Sequence, residues 1–310
     1  MKAKARRSGA RGKRDGMIKF HADCMACLAQ SALKKAGVVR DEALKTQYMR
    51  QVCAFIEEAD VERDSAPLVD ARIIALRREL LGIEEDFSEV KHRFNRLILS
   101  VYDRLRAQVE AAADPIHAAM QLAMAGNYID FGVMKDVDAG ELIRMLDAAA
   151  ERTLDAAEYA HFLQDLAAPG ELVYIHDNCG EVALDRLLIE TIRARFPEKR
   201  VVSIVRGAPI LNDATLEDAR EVGLTEVAEV LENGLRDIAG TELSLLPEDV
   251  RRRIEGAGVI LAKGQGNFET LIGCGLNAYY LLLSKCPSYT QWFGFEHFGG
   301  VLKNDRRLDF

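Results

Sequence analysis

Three short segments of this 310-residue chain end an apolar run in polar side chains. In the first, ELVYIHDNCGEVALD, the run Leu172, Val173, Tyr174, Ile175 gives way to His176, Asp177 and Asn178, then Gly180 and Glu181. In the second, a loop opens with Arg206 and closes on another amide–carboxylate pair, Asn212 and Asp213. In the third, Lys263, Gly264, Gln265, Gly266, Asn267, Phe268 and Glu269 lead from an apolar run into a helical pattern. Adjacent carboxylate and amide oxygens suit a hard cation such as Mg²⁺ or Mn²⁺. N–H groups at a helix start attract an anion, and Lys263 beside them offers a point charge to a phosphate. Cation, anion cradle and lysine are the parts that phosphoryl chemistry requires. Each segment also has a plain reading, as helix N-cap, turn and glycine turn respectively. What favours chemistry is the gathering of carboxylates, which is costly in a protein interior unless a cation neutralises it. The glycines match neither GxxxxGK[ST] nor GxGxxG.

The elements that must position these segments follow from periodicity. From about Ala168 the chain alternates strand and helix, the pattern of a mostly parallel sheet. Strands are expected at Leu172–His176, Arg200–Val205 and Val259–Ala262, with an edge strand at Gly299–Leu302. Helices are expected at Gly180–Arg195, Ala214–Val222, Thr225–Glu232, Pro247–Glu255 and Asn267–Ser284. Ligands of such sheets bind outside the carboxyl ends of the strands, where all three polar segments fall. Before that point the spacing gives helices at Ala22–Ala36, Asp41–Glu58, Pro67–Leu81 and Glu89–Ala112. Asp114 and Pro115 then open a further helix that runs to Gly126. The expected fold is therefore α/β multidomain, with an all-α part at residues 17–165 and an α/β part at 166–310. AGNYIDFG, Ala125 to Gly132, brackets Asn127 and Asp130 with glycines, as a helix C-cap and turn would.

Composition narrows the class. With 49% hydrophobic and 29% charged residues the chain reads as globular and is long enough for two cores. The first sixteen residues carry seven Lys/Arg against one Asp and read as a disordered basic extension, with Met17 opening the first ordered-looking segment. The remaining chain carries −14, the −8 of the whole less the +6 of that tail, which argues against nucleic-acid binding. The tail has no apolar region of a secretory signal, and no run of about 18 apolar residues suits a membrane. Cys24, Cys27, Cys53, Cys179, Cys274 and Cys286, without a signal, suggest a reducing cytoplasm. His21, Cys24 and Cys27 have metal-like spacing, but a structural zinc needs a fourth ligand and Cys53 would have to be recruited. Cys24 and Cys27 could otherwise be redox-active near a helix N-terminus, buried structural thiols, or part of the active-site wall. Cys179 lacks a histidine to activate it. His176 is expected to point away from Asp177 by strand alternation.

Together DNCGE, RGxPxxND, KGQGNFE and AGNxIDFG resemble the metal-dependent damage-control phosphatases, a family first catalogued as a domain of unknown function. The resemblance is to the bacterial and archaeal branch, with an amino-terminal CxxC and a GNFE signature, and covers Met17 to about Lys303. It implies a helical domain joined to a three-layer α/β/α Rossmann-like domain. It also implies a divalent metal on Asp177, Asn178 and Asp213, and hydrolysis of small phosphomonoesters such as sugar phosphates or damaged metabolites. Mg²⁺ or Mn²⁺ is expected, with Co²⁺ or Ni²⁺ as further candidates. On this reading Lys263 and the N–H groups near Gly266 and Asn267 face the phosphate. Asn127, Asp130, Glu181, Arg206 and Glu269 complete the substrate contacts. Attack by water and attack by Asp177, through an aspartyl-phosphate, both remain open. Two other classes stand beside the phosphatase. One is a Rossmann-like methyltransferase, which would want a glycine-rich turn after the first strand. The other is a metal- or redox-sensing protein built on Cys24 and Cys27. The expected partner is a small phosphorylated metabolite, and the oligomeric state is not legible.

Overall fold

The computed structural model describes residues 18–126, 139–150, 154–297 and 299–308. Eight helices precede the first strand: α1 (Ala22–Lys35), α2 (Glu42–Glu58), α3 (Ala66–Leu81), α4 (Ser88–Leu99), α5 (Tyr102–Glu110), α6 (Pro115–Gly126), α7 (Ala139–Ala150) and α8 (Ala156–Ala167) among the described residues. Then follow β1 (Leu172–Ile175), α9 (Glu181–Arg195), β2 (Val201–Val205), α10 (Leu216–Glu221), β3 (Glu229–Glu232), α11 (Glu248–Glu255), β4 (Val259–Lys263), α12 (Gly264–Leu271), β5 (Ala278–Leu283), α13 (Pro287–Phe293) and β6 (Gly300–Asn304). The strands form one sheet in the order β3-β2-β1-β4-β5-β6, parallel throughout except for the β5–β6 pair. The chain moves outward from β1 to β2 and β3, then returns to β4 on the other side of β1. The gap between the carboxyl ends of β1 and β4 is thus the topological switch point.

Side-chain alternation divides the sheet between two cores. Leu172, Tyr174, Leu261, Tyr279 and Leu281 face a layer of α9, α4, α5, α6 and α8. Val173, Ile175, Ile260, Tyr280 and Leu282 face α11, α12 and α13. Helices α1 to α3 hold a smaller cluster of their own around Phe20, Tyr48, Val52 and Ile73. That cluster is tied to the second layer by the Arg78–Asp237 ion pair at 2.7 Å and by the hydrogen bond from Ser288 to Asp23. No helix among the described residues is long and apolar enough to cross a membrane.

Three expected elements differ. The single helix over Glu89–Ala112 is two, α4 and α5, parted at Ser100 and Val101. The Ser100 hydroxyl donates to the Leu97 carbonyl at 2.7 Å, competing with the helical ladder. Thr225–Glu232, helical by pattern, is a short 3₁₀ turn followed by edge strand β3. Pairing with β2, together with ion pairs from Arg200 and Arg253 to Glu229, overrides the local preference. The helix expected over Asn267–Ser284 stops at Leu271. Gly273 and Gly275 adopt left-handed backbone there, and their N–H groups donate to Asp305 at 2.7 Å. The run AYYLLL that follows is strand β5, buried on both faces, which hides its alternation.

Candidate active site

The loops after β1 and β2 meet as a pair. Asn178 and Asp213 form an antiparallel bridge. The Ala214 N–H donates to the Asp177 carbonyl at 2.7 Å, and the Cys179 N–H donates to the Asn212 carbonyl at 2.8 Å. These bonds set Asp177, Asn178 and Asp213 beside one another at the mouth of the switch point. Asn178 spends both amide protons on carboxylates, reaching Asp177 Oδ2 at 2.8 Å and Glu181 Oε2 at 3.0 Å, which turns its Oδ1 the other way. Burial, then the charges of Asp213 and Glu181, push the Asp177 carboxyl up to about 8 against the pull of Arg206. Burial also raises Asp213, although Arg206 opposes it.

Arg206, at the end of β2, is the largest fully buried side chain among the described residues. Its Nε donates to Asp213 at 2.5 Å and its Nη2 reaches Asp177 at 3.4 Å. Its Nη1 donates to Asn267 Oδ1 at 3.0 Å and to the Thr241 hydroxyl at 3.3 Å. Asn267 in turn donates to the carbonyls of His176 at 3.0 Å and Lys263 at 2.7 Å, clamping the ends of β1 and β4 together. One guanidinium and one amide therefore hold both carboxylates against the sheet edge.

Lys263, expected to meet phosphate oxygens, does not lie open to the cleft. Its ammonium is fully buried and donates to Glu181, to Asp185 at 2.8 Å and to the Ala123 carbonyl at 2.9 Å. Burial alone would lower its pKa, but Asp185 and Glu181 overcome that and raise it. Asp185 also accepts from Tyr174 at 2.6 Å and pairs with His176 Nδ1 at 2.9 Å, so His176 faces α9 rather than Asp177. Strand alternation explains this: Lys263, Leu261, Tyr174 and His176 share the face turned to α9.

The remaining expected residues scatter. Gly266 has no room for a side chain, since a Cβ there would lie 2.0 Å from the Ala239 carbonyl oxygen. Glu269, one turn on from Gln265, accepts from it at 2.7 Å. It lies on the side of α12 that faces α3, within electrostatic reach of Asp70, Cys24, Cys27 and Cys286. It is therefore not gathered with Arg206 and Asn267. Asn127 and Asp130 lie outside the described residues. Cys24 Sγ sits 3.1 Å from His21 Nε2, and burial pushes its thiol up to about 12, while Cys27 is raised as well. Neither thiol has the lowered pKa that a redox role at a helix N-terminus would show. Burial likewise raises Cys179. Contributors that were not anticipated include Lys285, whose charge acts on Asp177, together with Thr241, Asp185, Asn95 and Lys91. The last two are polar residues on the buried stripe of α4, and that placement was the available signal.

Among the described residues no group of three or more His, Cys, Asp or Glu side chains is arranged to hold a metal ion. Asp177, Asn178 and Asp213 are two carboxylates and an amide oxygen, a donor set that leaves several positions to water, as Mg²⁺ prefers. Asp177 is raised first by burial and then by the negative charges of Asp213 and Glu181, and a divalent cation would offset those charges. The residues present fit such an ion.

A doubly wound sheet with carboxylates and amides packed at its switch point defines a class of ligand-binding α/β protein. Residues 20–298 match the family described as the damage-control phosphatase ARMT1-like domain, and the chain belongs to that family. It is 32% identical over 275 residues to a damage-control phosphatase of Archaeoglobus fulgidus, covering 87% of this chain and 94% of the relative. It is 27% identical over 276 residues to damage-control phosphatase PH1575 of Pyrococcus horikoshii, covering 88% and 94%. The crystal structure of a DUF89 family protein from P. horikoshii superposes with a TM-score of 0.79 at 25% identity, covering 92% of this chain and 98% of that one.

Proposed function

We propose that this chain is a divalent-metal-dependent phosphatase hydrolysing small phosphomonoesters, sugar phosphates or damaged phosphometabolites among them. The observation that carries the reading is the pairing of the two loops that bring Asp177, Asn178 and Asp213 together at the switch point. Relatives named damage-control phosphatase support the hydrolytic class. Mg²⁺ or Mn²⁺ held by these three residues would supply the positive charge that polarises a phosphate ester and activates its nucleophile. The chain's own groups then have distinct tasks. Arg206 fixes both carboxylates and offsets part of their charge. Asn267 locks the two strand ends on which the loops depend. Glu181 orients the Asn178 amide, and Lys263 neutralises Glu181 and Asp185 from below rather than touching substrate. We assign residues 17–165 as the helical part and 166–310 as the catalytic part. All six cysteines are free, which fits a cytoplasmic setting.

A methyltransferase would want a glycine-rich turn after β1. The one glycine there, Gly180, is taken up in packing against Phe94, 3.2 Å from where its Cβ would stand. The test is phosphate release from a panel of phosphomonoesters after EDTA stripping, with each metal added back. Metal-restored release is expected. No release with any metal, from protein shown to be folded, contradicts the reading.

A further inference from the structure

We propose that Asn95 is a positioning residue that fixes the spacing of the two metal-ligand loops; this rests on the metal reading above. Asn95 lies on α4, is fully buried, and uses its whole amide. Its Oδ1 accepts from the Gly180 N–H at 2.6 Å. Its Nδ2 donates to Asp218 Oδ1 at 2.9 Å and to Glu221 Oε2 at 2.7 Å. Gly180 stands two residues beyond Asn178. Asp218 and Glu221 stand on α10, the helix that follows Asp213 directly. A single side chain thus bonds the continuation of each ligand loop.

The surroundings make that amide a stiff spacer. Gly180 has φ +69 and no side chain, which lets α4 press Phe94 against it. Asp218 is not a loose partner: it closes the capping box of α10 on Thr215, two residues past Asp213. Lys91, one turn before Asn95, donates to the other Asp218 oxygen at 2.6 Å. Flipping the Asn95 amide would set its NH₂ against the Gly180 N–H and its oxygen against two carboxylates, so one orientation is enforced. Metal–donor distances in a good site fall within about 0.2 Å of their standard values. A brace bonded to both loops is therefore positioned to set cation affinity without touching the cation.

The test is Mn²⁺ titration of the full chain, followed by calorimetry, for wild type, Asn95→Ala, Asn95→Asp and the core control Ile98→Ala. Asn95→Asp keeps an acceptor for Gly180 but turns an oxygen on Asp218 and Glu221. Ile98 lies on the same helix, is buried in the core and contacts neither loop through a hydrogen bond. Both Asn95 variants are expected to weaken Mn²⁺ binding roughly 10- to 100-fold, the cost usual for groups that orient metal ligands. Ile98→Ala is expected to lower the melting temperature while leaving Mn²⁺ affinity within about twofold. Folded Asn95 variants that bind like wild type overturn the assignment of Asn95 alone. So does an Ile98→Ala variant that weakens binding equally. Wild type that binds no Mn²⁺ overturns the metal reading and the inference with it.

Discussion

Gly264 lies so close to Asp177 that a Cβ on it would stand 1.8 Å from the carboxylate Oδ2. With φ +77 the same residue occupies left-handed backbone, so glycine is required twice over. The first residue of α12 is thereby fitted against the carboxylate that follows β1. Gly264→Ala is expected to displace Asp177 and lower kcat/KM at least about 100-fold, since misplacement of about 1 Å costs that much. Steady-state kinetics on folded protein checks it. A variant within threefold of wild type would show that Asp177 need not sit against Gly264.

Lys263 is expected to reveal its buried role in stability. Lys263→Met leaves Glu181 and Asp185 buried without their common cation. Removing one member of such a group costs about 3–5 kcal/mol. Urea denaturation reads the change, and a loss below about 1 kcal/mol would mean that the two carboxylates find other compensation.

Glu269 gives a pH dependence of defined sign. Burial holds its carboxyl up at about 7 from an ordinary 4.5. The folded chain thus keeps a proton that the unfolded chain releases. This contribution is full below about pH 4.5 and is lost as pH rises through about 7. At about 1.4 kcal/mol per pH unit the loss reaches roughly 3 kcal/mol, an upper bound because Glu269 retains some solvent access. Glu269→Gln, which cannot ionise, is expected to gain on wild type between pH 4.5 and 8 in urea melts. An offset equal at both pH values would contradict the shift.

Much of this site could be read from residue types, and the reason is local. In β1, β2 and β4 an apolar run stops at a polar cluster, and parallel topology puts all such stops on one edge. What could not be read depends on contacts distant in sequence. Lys263 looks like a phosphate ligand until its neighbours on α9 are known. Asn95 and Lys91 fall at helical spacing with Phe94 and Ile98, yet a polar residue on such a stripe gives no sign of what it meets. Strand β5 was hidden because burial on both faces removes the alternation that marks a strand.

The buried thiols of Cys24 and Cys179 are expected to be inert. Cys24 and Cys179 are buried with raised thiol pKa, whereas Cys53 is exposed on α2. Iodoacetamide at pH 8, followed by peptide mass spectrometry, should label Cys53 first and leave Cys24 and Cys179 until unfolding. Labelling of Cys24 as fast as Cys53 would reopen the redox-sensing alternative.

We propose that Asp177 and Asp213 act together on a phosphate ester through a divalent cation. The most direct measurement is phosphate release by wild type and Asp213→Ala, each stripped with EDTA and then given Mg²⁺ or Mn²⁺. The expected result is release that stripping removes, metal restores in wild type, and no metal restores in the variant. Release that survives stripping, or an Asp213→Ala variant keeping more than about a tenth of the wild-type rate, would contradict the account, because losing an essential group costs far more than tenfold.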